Sequence, residues 1–218
     1  MTKLRICHLY GNLLNTYGDN GNLLLLQYTA KQKGLDVTTQ MVSLDQSFDP
    51  QSYDLVFFGG GQDYEQKVIA QQIHHIHDDL QNYIENDGVV LAICGGYQLL
   101  GHYYVNAKGE KIPGLGILDH YTVRQKNSRF TGDIEIYSDF FQRKLHGFEN
   151  HNGVTYLGPK ANAFGKVIKG FGNNNEDQTE GVQYKNVFCS YLHGPLLVKN
   201  PWLAEALVDL ALKNKNDF

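Results

Sequence analysis

Three short apolar runs, each ending at or beside glycines, constrain this chain more than any other feature. Leu4 to Tyr10, Asp54 to Phe58 and Gly88 to Ile93 are each the length of one buried strand. The second runs into Gly59-Gly60-Gly61 and the third into Cys94-Gly95-Gly96. A helix is predicted from Gly21 to Lys33, with Asp19 or Asn20 as its cap and Gly34 as its stop. Leu35 to Ser43 alternates loosely and reads as another strand. Asp63 to Asn86 has helical spacing, with Val68, Ile69, Ile73, Ile76, Leu80 and Ile84 on one broad face. Strands alternating with helices specify an α/β fold, a mostly parallel sheet covered on both faces. Ligands bind such sheets at the carboxyl ends of the strands. The loops after Tyr10, after Phe58 and at Cys94 all fall at that edge.

From Tyr103 to Tyr191 the pattern changes to short strands broken by Gly, Asn and Pro. Ile134 to Tyr137, Val154 to Leu157, Lys166 to Lys169 and Val187 to Tyr191 carry the signal best. A last helix is predicted from Pro201 to about Lys213, with proline in its first turn. No repeat or linker interrupts the 218 residues, so 1–218 reads as a single domain. A net charge of −4 without a basic patch argues against a nucleic-acid partner. Three cysteines are too few, and odd in number, for a disulfide framework. No run approaches the ~18 apolar residues of a membrane span, and the N-terminus lacks a signal-peptide pattern. A reducing cytoplasm is the expected setting.

The chemistry concentrates in Leu91-Ala92-Ile93-Cys94-Gly95-Gly96-Tyr97-Gln98. A nucleophile on a tight strand-to-helix turn is exposed at the sheet edge and needs small neighbours. The helix start behind it favours a thiolate. The Gly95 N–H is a candidate oxyanion donor. In Phe188-Cys189-Ser190-Tyr191-Leu192-His193-Gly194-Pro195 a strand ends at a histidine, where a base for Cys94 is required. Glycines 59 to 61 let backbone N–H groups approach a ligand, which makes Gly60 and Gly61 further oxyanion candidates. Without a following Gly-Lys-Ser/Thr they are not a nucleotide-binding P-loop. Cys7 and Cys189 are read as core residues. His74-His75-x-His77 does not converge on a metal from a helix, so no metal is expected. Leu23-Leu24-Leu25-Leu26 reads as part of a core helix.

In this order, the glycine turn, the Cys-Gly-x-x-Gln elbow and the distal histidine resemble class I glutamine amidotransferases. The resemblance covers most of the chain and implies their flavodoxin-like fold. Family members typically carry a glutamate two residues after the histidine, where this chain has Pro195. The Tyr-Leu-His-Gly context and Phe148-Glu149-Asn150-His151-Asn152-Gly153 are instead similar to the CobB/CobQ-like branch, which includes cobyric acid synthase. Asn12-Leu13-Leu14-Asn15-Thr16-Tyr17-Gly18-Asp19-Asn20-Gly21-Asn22 resembles the glutaminase subunits of lipid II isoglutaminyl synthases.

That resemblance implies Cys94 as nucleophile and His193 as base, with Gln98 and Arg129 holding L-glutamine. It implies ammonia delivery to a Mur-ligase-like (MurT-like) synthetase subunit in a heterodimer, with ATP on that partner and no cofactor in this chain. The acceptor would be the D-glutamate of lipid II, in peptidoglycan synthesis. Two alternatives stand beside it: an amidotransferase for another carboxylate, of the cobyric acid type, and a catalytically silent binding module of the same fold. The carboxylate that should orient His193 is not evident; Asp19, Glu149, Asp63 or a residue of the partner are the candidates.

Overall fold

The computed structural model describes residues 2–125 and 129–216. The first half builds strands β1 (Lys3–Leu9), β2 (Asp36–Val42), β3 (Leu55–Phe58) and β4 (Val89–Ile93). Their helices are α1 (Asn20–Gln32), α2 (Asp63–Ala70), α3 (His77–Glu85) and α4 (Gly95–Leu100). Then follow β5 (Tyr103–Val105), β6 (Lys111–Pro113), β7 (His120–Arg124), β8 (Phe130–Ser138), β9 (Arg143–His151) and β10 (Gly153–Leu157). The remainder is β11 (Gly165–Lys169), β12 (Thr179–Glu180), β13 (Val182–Tyr184), β14 (Val187–Ser190), β15 (Leu192–His193), α5 (Leu196–Lys199) and α6 (Pro201–Asn216).

A six-stranded sheet runs β13-β14-β4-β3-β1-β2, parallel except for β13. Because side chains alternate across a strand, the apolar runs divide between two cores. Leu4, Ile6, Leu55, Phe57, Val89, Leu91 and Ile93 face Leu23, Leu26 and Ala30 of α1 and Leu203, Leu207 and Ala211 of α6. Cys7, Leu9, Val56, Phe58, Val90 and Ala92 face Ile69, Ile73, Ile76, Leu80 and Ile84 on the other side. This is the two-faced parallel sheet that unbroken apolar runs require.

Two local expectations are corrected. The helix predicted from Asp63 to Asn86 is broken: a 3₁₀ turn, Ile73–Ile76, separates α2 from α3. A 3₁₀ turn has three residues per turn, so Ile73 and Ile76 stack on one line and both bury completely. In the leucine run, Leu23 and Leu26 join the core, but Leu24 is 63% exposed. Gly34 ends α1 at φ +74° as expected, and α6 begins at Pro201.

The second half forms two further sheets, ordered β10-β7-β5-β6 and β12-β11-β8-β9-β15. The longest pairing is the antiparallel hairpin of β8 and β9, in register from Phe130 opposite His151 to Ser138 opposite Arg143. The chain leaves the parallel sheet at the end of β14 and, one residue later, joins β9 as β15. That change of sheet at Tyr191 delivers His193 to the carboxyl edge of β4. Among the described residues, no helix is long and apolar enough to cross a membrane.

Candidate active site

Cys94 follows β4 directly, with φ 49° and ψ −100°. A residue other than glycine is strained there by about 1–3 kcal/mol, so the surroundings must hold the turn. Cys94 N–H donates to the Ser190 carbonyl at 2.9 Å, and Gly96 N–H donates to the Gly59 carbonyl at 3.0 Å. Position 96 has no room for a side chain, because a Cβ would lie 2.5 Å from the Phe58 carbonyl oxygen. The elbow places Cys94 on the wall of a cleft of about 440 Å³, shared with Tyr17, Gly61, Gln98, Arg129 and Asn150.

β14 lies beside β4, with Ser190 opposite Ile93. Three residues beyond Ser190, His193 reaches the same edge and is almost fully buried. Its Nδ1 lies 3.2 Å from Asp19 Oδ1. Its Nε2 is buried without a well-formed hydrogen bond, while the Cys94 side chain is close enough to act on the ring. Such bonds are often loose without substrate. Burial alone would strip the proton from this imidazole; the hydrogen bond with Asp19 and the neighbouring Cys94 sulfur outweigh it and push the His193 pKa up to about 10. The imidazolium is therefore the favoured form at neutral pH, and it is the partner that a thiolate needs.

Asp19 is completely buried. Its second oxygen, Oδ2, accepts the Gly60 N–H at 2.8 Å. The expectation that Asp19 caps α1 fails, since its side chain makes no capping bond. The carboxylate turns into the site instead, and the Asn20 N–H goes to Asn15 Oδ1 at 2.9 Å. Of the other acids considered, Glu149 accepts the N–H groups of Phe171 and Gly172 at 2.8 and 3.0 Å, and Asp63 accepts the Ala107 N–H at 2.8 Å. Neither holds His193.

Gly60 sits among all three side chains. A Cβ there would lie 2.9 Å from Asp19 Oδ2, 3.1 Å from the Cys94 Cβ and 3.3 Å from His193 Cε1. Its expected part as an oxyanion donor is corrected, because its N–H is committed to Asp19. Among the described residues, the N–H groups of Gly61 and Gly95 find no protein acceptor. They are neighbours: a Cβ on Gly95 would lie 3.0 Å from the Gly61 nitrogen. Two unpaired donors beside a sulfur form a receptor for a developing oxyanion.

Gln98 lines the cleft, but its amide is partly engaged, accepting from Gln66 at 2.9 Å and donating to Tyr191 Oη at 3.1 Å. Arg129 stands exposed at the rim, its Nε donating to Asn150 Oδ1 at 2.9 Å and its Nη2 to the Asn150 carbonyl at 3.0 Å. Asn150 also donates to Tyr17 Oη at 2.9 Å. The roles of Tyr17 and Asn150 were not foreseen from sequence, although both fall inside the two motifs quoted above. Cys7 and Cys189 are buried in the core, where burial pushes both thiols up. His75 and His77 are engaged by the carbonyls of Gln72 and Gln46 and by Asp78. Among the described residues, no group of three or more metal-ligating side chains is gathered to hold an ion.

A cysteine on an elbow, a carboxylate-bound histidine and free N–H groups on a parallel sheet define the architecture of a glutamine amidotransferase. The same fold recurs in the crystal structure of a glutamine amidotransferase, with a TM-score of 0.62 at 17% identity, covering 94% of this chain and 98% of that one. The family model of the CobB/CobQ-like glutamine amidotransferase domain matches residues 5–201, and the chain belongs to that family. Within it, the chain is 55% identical over 213 residues to the lipid II isoglutaminyl synthase (glutamine-hydrolyzing) subunit GatD of Streptococcus pneumoniae, spanning 98% of this chain and 82% of the relative. It is 40% identical over 215 residues to the Staphylococcus aureus protein of the same name, spanning 99% and 87%.

Proposed function

We propose that this chain is the glutaminase subunit of a lipid II isoglutaminyl synthase. The near full-length identity to the Streptococcus pneumoniae subunit supports the pathway. The observation that carries the chemistry is the juxtaposition of Cys94, His193 and Asp19 around Gly60.

In this reading the Cys94 thiolate attacks the side-chain carbonyl carbon of L-glutamine. The oxyanion is received by the Gly61 and Gly95 N–H groups, one such donor contributing about 3 kcal/mol in comparable sites. The His193 imidazolium gives its proton to the departing nitrogen, and ammonia leaves a thioester on Cys94. Neutral His193 then takes a proton from water, whose hydroxide opens the thioester to glutamate. Asp19 keeps the ring oriented and its charge balanced. Arg129 is suited to the substrate α-carboxylate, and Gln98 shapes the wall beside it.

Ammonia then passes to a Mur-ligase-like synthetase subunit that binds ATP and activates the D-glutamate carboxyl of lipid II. No cofactor is assigned to this chain. The test is transfer of label from glutamine carrying ¹⁵N in its side-chain amide, using the chain co-expressed with that synthetase, ATP and lipid II. Label in the lipid II amide is the expected result; in Cys94→Ala the label is lost, and ammonium chloride restores amidation without label. A product amidated from ammonium alone, never from glutamine, would overturn the reading.

A further inference from the structure

Tyr17 is a large side chain over the site that the chemistry above does not use. It lies in the short 3₁₀ turn Thr16–Gly18 with φ 56° and ψ 27°, a conformation costly for an aromatic residue. It is 48% exposed, yet its ring packs edge-on against the His193 ring, with centroids 4.9 Å apart. Its hydroxyl accepts Asn150 Nδ2 at 2.9 Å, and Asn150 Oδ1 accepts Arg129 Nε at 2.9 Å. A polar arc therefore crosses the cleft mouth from the loop that carries Asp19 to the β8–β9 hairpin. Tyr17, Asn150 and Arg129 all line the cleft that holds Cys94.

Resting on the glutaminase reading, we propose that Tyr17 and Asn150 are positioning residues, Asn150 and the Tyr17 hydroxyl for Arg129 and the Tyr17 ring for His193. Asn150 fixes the guanidinium from two sides, through its side chain and its own carbonyl, so the fork is oriented before glutamine arrives. The Tyr17 hydroxyl fixes the Asn150 amide. The Tyr17 ring, packed in a T-shaped contact, shields His193 from water. The hydroxyl thus serves binding and the ring serves the base, two functions that substitution separates. The charged groups facing His193 are Asp19 from the loop before α1 and Cys94 from the elbow. Further off are His151 on β9 and Glu180 on β12.

The experiment uses the chain co-expressed with its synthetase partner and compares wild type, Tyr17→Phe, Tyr17→Ala and Asn150→Ala. Glutamine hydrolysis and Cys94 alkylation by iodoacetamide are both followed from pH 6 to 10.5. Tyr17→Phe and Asn150→Ala should raise KM about fivefold, the equivalent of one hydrogen bond, with kcat and the alkaline limb unchanged. Tyr17→Ala should in addition lower kcat and, by letting water reach a histidine whose pKa burial lowers, move the alkaline limb of hydrolysis and the alkaline inflection of alkylation to higher pH. Equal effects of Phe and Ala, or variants that shift only the melting temperature, would overturn the proposal. Alkylation needs no substrate, so an alkylation profile displaced by Ala and not by Phe supports the ring's role even if wild type hydrolyses no glutamine. That last result would sink the glutaminase reading alone.

Discussion

At the scale of single residues, the electrostatics of the site turn on Asp19. Its carboxylate has one oxygen on His193 and the other on a backbone N–H, so it has little freedom to move when the histidine gains or loses a proton. Asp19→Asn keeps the shape and removes the charge. Because the hydrogen bond with Asp19 raises the His193 pKa, its loss lets burial lower it. The alkaline limb of kcat/KM should then move down from about pH 10, and the rate should fall by roughly 10²-fold or more. A pH–rate profile of the two proteins checks both. In sequence, Asp19 reads both as a possible helix cap and as one of three in-chain candidates to orient His193, and local pattern does not choose between them. Its true partner is 174 residues away along the chain, a separation that no local pattern reveals. Cys94 and His193 were legible because each sits at a strand end with its own turn chemistry.

At the scale of elements, the elbow and the glycine turn after β3 form one device. The loop before α1 lies across the glycines, with Thr16 N–H donating to the Gly60 carbonyl at 3.0 Å. Gly60→Ala should therefore disturb Asp19, Cys94 and His193 together. The expected outcome is loss of glutamine turnover, with a stability loss of about 1–3 kcal/mol from overpacking, measured by urea denaturation. The strands of the parallel sheet were readable as apolar runs, since burial on both faces leaves no other pattern. The nine-residue strands β8 and β9 were not readable at full length. Their buried face carries Ser138, Gly147, Glu149 and His151, small or polar residues that hide the alternation from an apolar count. β15 has two residues, too few for any periodicity, and only its pairing with β9 defines it.

At the scale of the whole molecule, two apolar cores sandwich one sheet, and a third region gathers buried acids behind the site. Glu180 is the clearest. Burial raises its pKa to about 8, although the Tyr191 N–H and the Ser190 hydroxyl donate to it and act in the opposite sense. A folded pKa above the ordinary 4.5 means the native state holds the proton more tightly. The stabilisation is complete below pH 4.5 and is lost as pH rises through about 8. Glu180→Gln should flatten that decline and raise the urea midpoint at pH 8 relative to wild type. On the helix side of the sheet, Leu207 is fully buried between α6 and the strands, and Leu207→Ala should cost about 2–5 kcal/mol by the same assay. It should leave KM for glutamine unchanged, because the cleft lies at the sheet edge.

The most direct measurement is glutamate release from L-glutamine by the wild-type chain, Cys94→Ala and Asp19→Ala, each alone and with the synthetase partner. With Cys94, His193 and Asp19 assembled in one polypeptide, wild type should release glutamate alone and faster in the complex. Cys94→Ala should be inert, and Asp19→Ala should be severely impaired in both settings. Full activity of Asp19→Ala in the complex would contradict this account of the site and assign the orienting carboxylate to the partner. Release that persists in Cys94→Ala would contradict the mechanism altogether.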